Sequence, residues 1–201
     1  SLSRVERSIG ADGQETLHGE TEISRAGRIG RVVEDASLDA QGKLLHAEIA
    51  VFSRCNDQAD KQLSFDRATG LVEIRTPERS ERWRVLTDAP WAILPPSDAG
   101  GNAVATPVSA WIALRAATGG AVRMIDTDRR WTYRAPADQV AVATGEGTTV
   151  ALGDDGVDAG KDFVDTLRLN GAGLVLKRLD APAAPELACG SFGHPGVSSL
   201  Q

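Results

Sequence analysis

Histidine is scarce in this chain, cysteine scarcer, and no apolar run is long enough to cross a membrane as a helix. The three histidines, His18, His46 and His194, show neither an H-E-x-x-H motif nor any paired metal-ligand spacing, so we expect no metal centre. The two cysteines, Cys55 and Cys189, are too distant in sequence for a zinc knuckle or a C-x-x-C redox pair. Either they form one disulfide, which implies an oxidising compartment, or both are isolated thiols. Their polar or glycine-rich settings favour the disulfide. Basic charge is also short, with 22 Lys+Arg against 28 Asp+Glu and a net charge of −6. Phosphate recognition needs a concentrated basic surface, so nucleic acid is not an expected partner. The N-terminal Ser1-Leu2-Ser3-Arg4 carries no signal-peptide hydrophobic core.

Several sequence motifs are missing as well. Gly171-Ala172-Gly173 lacks the third glycine and following helix of a dinucleotide fingerprint, and no G-x-x-x-x-G-K occurs. Gly190-Ser191-Phe192-Gly193 has the wrong spacing for a nucleophile elbow. Cys189 and His194 are neighbours, but a Gly/Pro-rich terminus is a poor place to build the rigid pocket a thiolate nucleophile needs. Asp154, Asp155, Asp158 and Asp162 crowd one loop, yet Gly156 stands where an EF-hand would place a ligand and no glutamate closes the series. A solvated hairpin loop accounts for them better. No cofactor is expected, and no residue is assigned a catalytic role.

What remains is a globular composition, 41% hydrophobic and 25% charged, in a length that suits one domain over residues 1–201. Residues 106–118 read as a helix: Thr106 caps it, Pro107 suits its first turn and Gly119-Gly120 ends it. Val108, Trp111, Ile112 and Leu114 leave little of its surface polar, so other structure should cover it. Strand patterns surround it. Leu17, Gly19, Thr21 and Ile23 alternate with His18, Glu20, Glu22 and Ser24, and further strands are predicted over 29–38, 45–51, 63–65, 71–75 and 81–86. Residues 88–96 contain Pro90, Pro95 and Pro96 and should not form a regular strand. After the helix, short strands are expected at 122–126, around Trp131 and Tyr133, at 140–142 and at 149–152. A hairpin over 163–179 turns at Asn170-Gly171-Ala172-Gly173. Residues 181–201 form an extended tail with little periodicity.

The expected fold is therefore mainly β: a curved antiparallel sheet, a half-barrel, wrapped around one central helix. Many antiparallel strands, one helix inserted midway and strands again to the end resemble, over residues 15–179, the LolA/LolB-like periplasmic lipoprotein carriers. The resemblance implies an apolar cavity between sheet and helix that holds acyl chains. Trp83, Trp91, Trp111, Ile112, Trp131 and Tyr133 are the corresponding ligand-binding candidates. It also implies a non-catalytic protein of the periplasm or cell envelope, secreted across the inner membrane and peripherally associated. Its partner would be a lipid or another hydrophobic small molecule. The same half-barrel shape hosts a small-molecule rearrangement in violacein biosynthesis, so a VioE-like enzyme is the alternative, with Arg84, Asp126, Arg134 and Tyr133 as its polar groups. A protein-interaction module using a sheet edge is a third expectation.

Overall fold

In the computed structural model, the residues described are 2–25, 28–53, 58–93, 106–117, 123–125, 157–159, 164–169 and 174–177. Seven consecutive strands, β1 (Leu2–Ile9), β2 (Glu15–Arg25), β3 (Arg28–Leu38), β4 (Leu44–Phe52), β5 (Lys61–Asp66), β6 (Leu71–Arg75) and β7 (Ser80–Arg84), form one sheet in chain order. Every neighbouring pair is antiparallel. The sheet is an open meander, not a closed barrel. The period-two pattern marks no strand before Leu17, yet β1 is there. Arg4, Glu6 and Arg7 put charge on both of its faces, which hides the alternation.

Strand register divides the sheet into two faces. Leu17, Thr21, Ile23, Val32, Ala36, Ala47, Ile49, Leu63, Phe65 and Val72 share one face, and all are buried. His18, Asp35, Glu48, Ser64 and Glu73 lie across the other, each opposite a residue of the same face. Glu15 and Glu34 break the pattern, since both are buried carboxylates on the apolar face.

One helix, α1 (Pro107–Ala117), packs against β1, β2 and β3 on that face. Its start fits the sequence. The Thr106 carbonyl accepts the first helical bond, from the Ala110 amide at 3.1 Å, which makes Thr106 the cap. The helix also joins two short parallel strands, β8 (Trp91–Ile93) and β9 (Arg123–Ile125), which require a crossover. Residues 88–96 thus hold three residues of strand after all. Pro90 precedes the pairing residues and takes no donor from them. A separate antiparallel sheet contains β10 (Val157–Ala159), β11 (Val164–Leu169) and β12 (Leu174–Lys177), and β11 also approaches α1. Leu169 pairs with Leu174, closing the hairpin predicted there. Among the described residues no helix is long and apolar enough to cross a membrane. The predicted strands at Trp131 and Tyr133, 140–142 and 149–152, and the 181–201 tail, lie outside the described residues.

Two glycines set how closely helix and sheet approach. Gly19 lies on β2 under the first turn of α1, where an added Cβ would sit 2.5 Å from Val108 Cγ2. Gly42, in the β3–β4 turn with φ near +80°, meets the last turn of α1, and a Cβ there would lie 3.1 Å from Arg115 Cβ.

Candidate functional site

At the interface between α1 and the sheet a buried carboxylate marks each end. Glu34 reaches up from β3 to the helix N-terminus. Its Oε1 accepts hydrogen bonds from Thr106 Oγ1 at 2.9 Å and from Ser109 Oγ. The Ser109 and Val108 amides, which have no partner inside the helix, also stabilise its charge. Oε2 is buried with no hydrogen-bond partner. Complete desolvation outweighs these donors and pushes the carboxyl up from 4.5 to about 7. Its hydrogen-bond partners are neutral groups; no basic side chain is among them.

Glu15, near the other end of the helix, is held differently. Its Oε2 accepts the Trp111 indole N–H at 2.8 Å and Arg7 Nε at 3.3 Å. Its Oε1 receives Arg7 Nη2 at 3.1 Å and lies 3.4 Å from Arg115 Nη2. Burial alone would raise this carboxyl. The Trp111 and Arg7 hydrogen bonds and the two guanidinium charges overcome it and hold the group below its ordinary 4.5. Arg7 and Arg115 also lie 5.0 and 5.9 Å from the centroid of the Trp111 ring.

The candidate residues occupy three distinct settings. Trp91, Trp111 and Ile112 belong to one buried apolar cluster, with Trp83 half-buried against its margin. Trp91 donates its indole N–H to the Leu86 carbonyl at 2.6 Å. Trp111 is committed to the Glu15 cluster, so its ring serves as a clamp between helix and sheet. Trp83 sits on β7 opposite Val72, and Ile74 and Val85 are half-buried beside it. Arg84 points to the opposite face, exposed, and donates to the Thr69 carbonyl at 3.2 Å. Trp131, Tyr133, Asp126, Arg134, His194 and both cysteines, Cys55 and Cys189, lie outside the described residues, as do Asp154, Asp155 and Asp162.

Two grooves open on the polar face. One of about 520 Å³ is lined by Glu6, Thr16, His18, Asp35, Ser37 and His46 among others. In it His18 Nδ1 lies 2.8 Å from Asp35 Oδ1, and this hydrogen bond raises the imidazole above its usual 6.5 despite partial burial. The second groove, of about 300 Å³, includes Glu48, Gln62, Ser64, Glu73 and Arg75. Glu73 is gripped by Arg75, Ser80 and Arg82, which hold its carboxyl down at about 2. Among the described residues no group of three or more His, Cys, Asp or Glu is placed to hold a metal ion.

Sequence reasoning missed Glu15 and Glu34, although one signal for them exists. Glu15 is in phase with Leu17 and Ile23, and Glu34 with Val32, Ala36 and Leu38, so both occupy core positions of their strands. Compared with known proteins, the chain matches no family model, no curated protein and no solved structure.

Proposed function

We propose that the chain is a non-catalytic cell-envelope protein that takes up a lipid acyl chain or similar hydrophobic molecule beside helix α1. The sheet would curve around that helix as a half-barrel. One observation carries the reading. The helix-side face carries one apolar cluster that ends, at the β6–β7 margin, in Ile74, Trp83 and Val85, all half-buried and packed on the core. Leu86, the residue that follows Val85, is 58% exposed. Apolar surface at the rim of a core is where a hydrophobic ligand gains most from burial, at about 25 cal/mol per Å² before association costs. The interior carboxylates favour binding over chemistry. Glu15 is saturated by internal partners, and Glu34 is sealed beneath the helix. The ligand therefore belongs at the Trp83 margin of the core cluster that contains Trp91, while Trp111 holds the helix in place.

Native purification, extraction and mass spectrometry test the proposal. A stoichiometric lipid or apolar metabolite is expected with the wild-type protein and should be lost from a folded Trp83→Ala variant. A wild-type protein that neither carries nor takes up fluorescent fatty acid, or a Trp83→Ala variant that binds it at full strength, would refute the reading.

A further inference from the structure

β1 is an open edge. No described residue pairs with its outer side, and it is the outermost strand of the seven-stranded sheet. None of its residues is buried, whereas β2 to β6 each contain buried ones. Native edge strands are usually blunted by charged side chains (lysine above all), inward-pointing charges, a proline, a bulge or shortness. β1 carries Arg4 and Glu6 outward and Arg7 inward, but it has no lysine, proline or bulge and runs eight residues, Leu2-Ser3-Arg4-Val5-Glu6-Arg7-Ser8-Ile9, in unbroken register with β2. The opposite edge, β7, is shorter, with five residues.

We infer that this edge is a self-association surface, on which β1 of a second copy of the chain pairs antiparallel to extend the sheet across a two-fold axis at Val5. The register follows from backbone geometry and charge. Along an antiparallel strand, the backbone groups that face one edge belong to every second residue. Two copies of one strand can therefore pair only in registers centred on a residue, never on a peptide bond. The same parity keeps the apolar faces of both sheets on one side. For β1 over Leu2–Ile9 the two longest such registers centre on Val5 and Glu6, and the next two, equal in length, centre on Arg4 and Arg7, the last setting Arg7 against Arg7. Centring on Arg4 sets Arg4 against Arg4, and centring on Glu6 sets Glu6 against Glu6. Directly opposed like charges are unfavourable. Centring on Val5 sets Arg4 of each copy opposite Glu6 of the other, twice, on the polar face. On the apolar face it sets Val5 against Val5 and Ser3 against Arg7.

Within one copy, Arg4 and Glu6 already form a 3.3 Å pair, each side chain 65% exposed. Both are free to turn to the facing strand without disturbing the core. Arg7 stays bound to Glu15 on the inner face. A two-fold, isologous contact of this kind closes at two copies and leaves no further strand of β1 to recruit.

Sedimentation equilibrium on the full chain, read as a dimer dissociation constant, tests the register. Wild type is expected to be a reversible dimer. Glu6→Arg places Arg4 against a new arginine twice and should weaken dimerisation by about tenfold or more. The double variant Arg4→Glu/Glu6→Arg restores opposite charges and should recover dimerisation to near wild type. All three proteins should share one circular-dichroism spectrum, since both side chains are exposed. A monomeric wild type at the highest attainable concentration overturns the proposal. So does a dimer that is indifferent to Glu6→Arg, or one that the double variant fails to recover.

Discussion

Replacing Glu34 with glutamine should stabilise the protein above neutral pH, which is unusual for a residue with this many hydrogen bonds. In the folded state its carboxyl titrates at about 7, against 4.5 when solvated. A raised carboxyl means that the fold binds the proton more tightly than the unfolded chain does. The associated stability is complete below 4.5 and is lost as pH rises through about 7. At 1.36 kcal/mol per pH unit the whole interval is worth about 3 kcal/mol. Glutamine mimics the protonated form: it keeps an acceptor for Thr106 and Ser109 and carries no charge into the interior. Urea unfolding at about pH 5 and about pH 8 reads the difference. The two proteins should be close at the lower pH, with Glu34→Gln more stable by about 2–3 kcal/mol at the higher. His18 also has a raised value and contributes in the same direction just above 6.5, but it is common to both proteins and cancels. A wild type equally stable at both pH values, or a variant weaker than wild type at the higher, would refute the reasoning.

Gly19→Ala drives a methyl into Val108, whose branched side chain has little rotamer freedom in a helix, and should cost about 1–3 kcal/mol in thermal unfolding. Adding Val108→Ala to the same chain should recover part of that loss. Trp111→Phe keeps a ring between the two arginines but removes the N–H that Glu15 accepts; the expected cost is about 1–3 kcal/mol by denaturant titration. In an NMR titration the His18 ring should titrate above 6.5, and Asp35→Asn should bring it back down.

The parts of the fold that were legible in the sequence are those governed by one local signal. Thr106-Pro107 marks the start of the helix because capping is a matter of adjacent residues. Leu17, Thr21 and Ile23 mark the core face of β2 because alternation survives unless both faces are polar. β1 fails that condition, and β8 is too short to show a period between its prolines. Glu15 and Glu34 were illegible for another reason. Taken alone, each reads as one more solvated strand glutamate. What makes them interior groups is α1, whose Trp111 lies 96 residues from Glu15 and whose Thr106 lies 72 from Glu34. No local pattern encodes that separation.

The same separations bear on how the molecule assembles. A meander in chain order forms by successive hairpins, each closing a short loop, so its seven strands need no distant partner. The helix is different: its anchoring hydrogen bonds close loops of 72, 75 and 96 residues. Strand pairing should therefore precede helix docking, and the Glu34 and Glu15 contacts should form after the folding barrier. Ser109→Ala is accordingly expected to steepen the loss of the native state, raising the unfolding limb of a chevron plot while leaving the refolding limb nearly in place. The helix would be the last piece to dock and the first to leave.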